Sequence, residues 1–145
     1  MKVILGTDHG GFEMKELIKK WLATEGYTVE DVGAANLVAE DDYVYFAKQA
    51  VKAVTSSSDR VILFCRNGFG MVIAANRFAG VRCGLAFDTE AVRKGRVDDD
   101  INALSVPSDY FDEEMVIRMI KIFLTEKKSE DDKYKRRIMK LDNLI

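Results

Sequence analysis

Residues 60–75 read RVILFCRNGFGMVIAA, and this stretch decides the fold. The apolar run over residues 61–65 has the length and character of a strand buried on both faces. Gly68 and Gly70 then punctuate a turn, and the residues after them carry helix-compatible spacing. Strand, tight loop and helix in that order form the repeating unit of an α/β protein. The two glycines open backbone conformations closed to other residues and let a ligand approach the main chain. The first amides of the following helix lack intrahelical partners and lie at the positive end of its dipole, which favours anions. Cys65, at the strand's end, shares that field.

The spacing also restricts the loop. A dinucleotide-binding turn needs a third glycine or alanine where this chain has Ile73, and the lysine of a phosphate-binding P-loop is missing. A nucleotide-binding domain is therefore disfavoured. From position alone Cys65 has two readings, a buried core cysteine or a reactive thiol.

The 145 residues suit one domain over 1–145 with no internal repeat, low-complexity tract or linker. A formal net charge of -2 supplies no overall basic field for nucleic acid. Cys65 and Cys83 are too few for a disulfide scaffold, and no secretory signal or membrane-length apolar run is present. The cytoplasm is the expected compartment. His9 is the single histidine, so a histidine-rich metal site is excluded and no metal is expected.

Upstream of the central stretch, residues 2–7 form a short buried-strand run, followed by Asp8-His9-Gly10-Gly11 and an amphipathic segment that Gly26 stops. Asp8 suits an N-cap, whereas His9 at a strand's carboxyl end faces the usual ligand crevice of an open sheet. Residues 27–32 predict a second strand and 33–40 a loop. Asp41-Asp42-Tyr43 opens a helix to about residue 54, with Tyr43 either in the core or over a ligand. Ser56-Ser57-Ser58-Asp59 reads as a plain turn, and the helix after the central loop reaches about residue 78.

Residues 81–86 predict strand four, 88–95 a short helix, and 101–106 strand five. Asp98, Asp99 and Asp100 read as a solvated turn close before that strand. A helix over about 111–127 and a tail helix over about 130–143 complete the chain. Lys133 and Arg137, four apart, share a helix face and suit one anion between them. The alternation predicts an α/β fold: a three-layer, doubly wound sheet of five parallel strands flanked by helices. Ligands of such sheets bind beyond the strands' carboxyl ends, where Asp8, His9 and Cys65 fall.

These residues resemble the type B ribose-5-phosphate and galactose-6-phosphate isomerase family over essentially the whole chain. The family's SDHGG is similar to residues 7–11, its DYP to Asp42-Tyr43-Val44, its CGTGxGxxIAANK to residues 65–77, and its GIRA to residues 80–83. The resemblance implies a metal-free and cofactor-free aldose–ketose isomerase working through an enediolate. Cys65 would be the proton-transfer base, its thiolate favoured by the helix amino end. The main-chain amides over Asn67, Gly68, Phe69 and Gly70 would hold the oxyanion, Asp8 would assist ring opening, and His9 and Tyr43 would bind substrate. The resemblance also implies a homodimer or homotetramer with shared sites, the tail helix packing on a partner subunit.

The departures concern the substrate. Where the family carries histidine and asparagine before strand five, this chain has Asp98 and Asp99, leaving Asp98 as a ring-opening base and Asp99 as a substrate contact. A phosphate-binding arginine is replaced by Asp109, while Lys133 and Arg137 hold the places of the tail arginine pair. Arg66 replaces a glycine, placing a new cation beside Cys65 either to bind the substrate's anion or to pair with the new aspartates. Two other readings stay open: a non-catalytic sugar-binding or regulatory protein on the same scaffold, and one half of a hetero-oligomeric isomerase whose paralogue supplies the missing residues.

Overall fold

The computed structural model describes residues 1–36 and 40–145; the predicted 33–40 loop therefore lies partly outside the described residues. The strands β1 (Lys2–Thr7), β2 (Thr28–Asp31), β3 (Arg60–Cys65), β4 (Cys83–Leu85) and β5 (Ala103–Pro107) alternate with helices α1 (Phe12–Thr24), α2 (Tyr43–Lys52), α3 (Phe69–Ala75), α4 (Thr89–Asp99), α5 (Glu113–Thr125) and α6 (Asp132–Asp142). All pairings are parallel and the order is β2-β1-β3-β5-β4. The predicted fold class is thus observed.

The two faces of the sheet bury separate cores because β1 and β3 are apolar on both sides, as a doubly covered parallel strand must be. Leu5, Ile62, Phe64 and Leu104 pack with Ile18 and Leu22 of α1, Val92 of α4, and Met119 and Phe123 of α5. Ile4, Val61 and Leu63 pack instead with Ala47 and Ala50 of α2 and Met71 and Ala75 of α3. Four helices start on aspartate: Asp42, Asp88, Asp112 and Asp131 accept from the amides of Val44, Ala91, Met115 and Lys133 at 2.8–2.9 Å. Such a cap contributes about 1 kcal/mol over alanine.

Several boundaries differ from the prediction. Strand four shortens to Cys83–Leu85 and strand five starts later, at Ala103. Helix α4 runs on through Asp98 and Asp99, and Asp100 ends it in the left-handed region at φ 47°. The three aspartates are therefore a helix terminus rather than a solvated turn. Asp100 accounts for the extension: it draws in Arg96 at 2.7 Å and Arg82 at 3.1 Å. Helix α3 stops at Ala75, short of residue 78.

The 56–59 turn is also more than a turn. Asp59 is buried and accepts from the amides of Lys2, Thr55 and Ser56, each at 3.0 Å. It thereby ties the start of β1 to the α2–β3 connection. Those amides, first Thr55 and then Lys2, hold its pKa down to about 2. An unfolded aspartate titrates near 3.9, so this stabilisation is complete above that value and is lost as pH falls through about 2. We expect Asp59→Asn to flatten the loss of stability between about pH 4 and pH 2, followed by circular dichroism.

Candidate active site

The strand order reverses between β1 and β3, which lie side by side with β2 on one flank and β5 and β4 on the other. Open α/β sheets form their ligand crevice at such a switch point, beyond the strands' carboxyl ends. Asp8 follows β1, and Cys65 ends β3. Between β1 and α1, His9–Gly11 make one 3-10 turn capped by Asp8, whose carboxylate accepts from the Gly10 amide at 3.0 Å. Gly11 is needed for that closure, since a Cβ there would lie 2.5 Å from the Phe64 main chain. Asp8 is thus an N-cap that also lies at the mouth of the crevice.

The central loop is built around the sulfur. Gly68 takes φ 82°, a conformation glycine adopts without strain, and its amide donates to Cys65 Sγ at 3.1 Å. The Ser105 hydroxyl anchors the same residue by donating to its carbonyl at 2.8 Å. Asn67 Oδ1 accepts from the Phe69 amide at 3.1 Å. Of the amides expected to hold an oxyanion, those of Gly68 and Phe69 are therefore engaged by the sulfur and by Asn67 in the ligand-free protein. The Tyr43 ring packs against Gly70, so Tyr43 borders the loop while remaining exposed.

The electrostatics depart from the prediction. Cys65 is only 6% exposed, and burial pushes its thiol up. The amides of Gly68, Met71 and Asn67 oppose that rise, but the Asp8 charge adds to it, and the net direction is upward. The helix terminus therefore limits the rise rather than producing a depressed value. Asp8 is raised too, first by burial and then by Asp41, against the attraction of His9 and the amides of Gly10 and Gly11. Burial takes Cys83 to about 12, which leaves it inert.

An alkylation experiment follows from these directions. Iodoacetamide should modify Cys65 with a pH midpoint above the ordinary thiol value of about 8.5 and should spare Cys83. Asp8→Asn removes the neighbouring negative charge, so the midpoint falls in that variant.

A second part of the crevice is a cavity of about 370 Å³ lined by His9, Glu13, Arg66, Ser108 and Asp109, among others. Arg66 Nε donates to Asp109 Oδ2 at 2.8 Å. Arg66 therefore pairs with one of the new aspartates, as one of the two sequence readings allowed. Ser108 brings a buried hydroxyl that has no hydrogen-bond partner among the described residues.

Four predicted residues stand elsewhere in the chain. Asp98 and Asp99 precede β5, whereas Cys65 is in register with Pro107 at that strand's far end. The four residue steps from Ala103 to Pro107 span about 13 Å at the usual strand rise. Lys133 and Arg137 sit on α6, where both lie over the Tyr134 ring at 4.5 and 5.8 Å. The end of α6 is fastened to the amino side of the sheet by Asp142, which pairs with Arg82 at 2.7 Å. The chain thus brings together Asp8, His9, Tyr43, Cys65, Arg66 and the glycine turn, and leaves these four apart.

The sequence reading missed Asp41. Its Oδ1 accepts from the His9 amide at 3.0 Å and lies 2.8 Å from His9 Nδ1. Asp8, His9 and Asp41 offer ligand atoms within 4.8 Å of one another, the group among the described residues with metal-binding proximity. Asp41 Oδ1 and His9 Nδ1 already bind each other, and Asp8 Oδ1 accepts from the Gly10 amide. The only signal in the sequence was the doubled aspartate at 41–42, of which the second is the helix cap.

Comparison with known proteins bears on the family and the fold. A 4-deoxy-4-sulfo-D-erythrose isomerase of Clostridium sp. (strain MSTE9) is 36% identical over 107 residues, 73% of this chain and 67% of that protein. A ribose-5-phosphate isomerase B of Mycolicibacterium paratuberculosis is 31% identical over 139 residues, 95% of this chain and 87% of its own. The crystal structure of a ribose 5-phosphate isomerase from Thermotoga maritima superposes with a TM-score of 0.93 at 33% identity, covering 99% of this chain and 98% of that one. The sequence profile described as Ribose/Galactose Isomerase matches residues 3–141. With that match spanning almost the whole chain and the switch-point crevice in place, this protein belongs to the ribose/galactose isomerase family of enzymes.

Proposed function

We propose that the chain interconverts an aldose and a ketose that carry an anionic end group, with Cys65 as the base and no metal. The observation that supports this most is the sulfur itself. It ends a central strand at the switch point, 3.1 Å from the Gly68 amide and coupled electrostatically to Asp8.

The Cys65 thiolate takes the proton from the aldose carbon beside the carbonyl. The freed electron pair becomes the carbon–carbon double bond of the enediolate, and the carbonyl oxygen becomes an oxyanion. Of the loop amides, that of Gly70, which is engaged neither by the sulfur nor by Asn67, stabilises that oxygen, and a donor fixed in place beforehand contributes several kcal/mol. The hydroxyl proton on the deprotonated carbon passes to the oxyanion, and the thiol returns its proton to the former carbonyl carbon, giving the ketose and restoring the thiolate. Asp8, whose carboxyl keeps its proton to higher pH than usual, passes protons between the anomeric hydroxyl and the ring oxygen during opening. Because the thiol is raised, turnover increases with pH above neutrality. A chelator leaves it unchanged.

His9 and the cavity beside it bind the end group. The Arg66 charge there is already matched by Asp109 at 2.8 Å, which favours a singly charged group over a phosphate carrying nearly two charges. The names of the relatives supply both candidates, a sulfonate and a phosphate. Lys133, Arg137, Asp98 and Asp99 join this site from a second protomer. No residue of α6 is buried, and Met139, Leu141, Leu144 and Ile145 are exposed on and after it, as suits a segment that packs on a partner. The end group is tested by turnover on matched sugars ending in sulfonate, phosphate or hydroxyl. Turnover of the sulfonate at least equal to the phosphate supports the assignment, and turnover of none of the panel refutes it.

The same Arg66–Asp109 pair favours a second reading, a non-catalytic sugar binder, because it withdraws a cation from the site. Tight sugar binding unaltered by Cys65→Ala, without turnover by the wild type, would establish that reading.

A further inference from the structure

We propose that Asp41 is a positioning residue that fixes the His9 ring, with Nδ1 protonated and Nε2 left for the substrate's anionic end. The inference rests on the end-group reading of the cavity above. Both hydrogen bonds to Asp41 come from His9, one from its amide and one from its ring, and both reach the same oxygen. The second oxygen, Oδ2, is buried and has no partner among the described residues. The Asp41 side chain is 13% exposed, so among the described residues its desolvation is offset by His9. Burying a carboxylate with so little compensation is costly.

Helix capping does not account for it, because Asp42 caps α2. Anchoring the loop would need only the bond to the His9 amide. The bond to Nδ1 does something further: a carboxylate on one imidazole nitrogen decides which tautomer is present and holds the ring's orientation. Nε2 is then the nitrogen free to meet a ligand in the cavity that His9 lines with Arg66, Ser108 and Asp109. With both nitrogens protonated, Nε2–H donates to an anionic oxygen. Holding the ring beforehand removes the ordering cost that substrate binding would otherwise bear.

His9 is the only histidine of the chain, so its ring nitrogens can be followed without ambiguity by long-range proton–nitrogen NMR on the ligand-free protein. The neutral ring should carry its proton on Nδ1 in the wild type and lose that fixed preference in Asp41→Ala. A wild-type ring protonated on Nε2 overturns the proposal. This arm needs no turnover, so it stands even if the isomerase reading fails.

The kinetic arm uses the anionic-ended sugar that the enzyme turns over. Asp41→Ala should raise KM about tenfold, as for a lost hydrogen bond to a charged group, with kcat within about twofold, and Asp41→Asn should recover part of that loss. His9→Ala combined with Asp41→Ala should be no worse than His9→Ala alone, because residues acting through one another are not additive. A double variant whose loss is the full product of the two single losses, or a change in kcat with KM unmoved, would overturn it.

Discussion

Replacing Cys65 by alanine should lower kcat/KM for isomerisation by about 10²–10⁴-fold, the range that a positioned general base contributes. The effect is large because no neighbour can substitute for the sulfur. Asp8, the charged neighbour of the sulfur, is assigned to ring opening rather than to the carbon proton, and Cys83 is buried and raised to about 12. The fold should survive, since the substitution removes one atom at the end of β3 and leaves the strand's pairing with β1 and β5 intact. Circular dichroism should show an unchanged far-ultraviolet spectrum and a modest drop in Tm. Cys83→Ala, which removes the other thiol, should retain turnover.

The second large effect concerns residues that one protomer cannot bring to its own sulfur. On the proposed shared site, Arg137→Ala should remove a charge-assisted contact worth about 1.5–3 kcal/mol, or roughly one to two decades of kcat/KM. Cys65→Ala and Arg137→Ala protomers are both impaired alone, for different reasons. After mixing and exchange of subunits in a two-fold dimer, half of the dimers are mixed, and each has one site with an intact Cys65 and an intact partner Arg137. The mixture should therefore regain about a quarter of wild-type activity. No gain on mixing, with subunit exchange demonstrated by mass spectrometry, would place Arg137 outside the site.

The strands were legible because β1 and β3 are short apolar runs bounded by turn residues, and a doubly covered strand needs little else. Their order was not. Nothing in residues 103–107 announces that β5 lies between β3 and β4, since that choice is made by packing against α4 and α5. The end of α4 was misread for a related reason. Asp98, Asp99 and Asp100 look like a solvated turn by composition, but Arg82 and Arg96 arrive from different parts of the chain to pair with Asp100. Asp59 behaved likewise, as its amide partners include Lys2, 57 residues away.

At the site, Asp8, His9, Cys65 and the glycine turn could be read because strand ends and glycine spacing are local signals. Asp41 could not, because its role is defined by a ring 32 residues earlier in the chain. The direction of the Cys65 shift was also missed. The helix amino end is visible in sequence, whereas the burial that outweighs it and the Asp8 charge that adds to burial belong to the folded molecule.

The most direct test of proton transfer through Cys65 is isomerisation in deuterium oxide, with the product's carbon-bound hydrogens read by proton NMR. Proton transfer through a thiol that exchanges with solvent predicts deuterium at the carbon that receives the hydrogen, at a rate that collapses in Cys65→Ala. Full conversion with no deuterium in the product, or undiminished incorporation in Cys65→Ala, would contradict it.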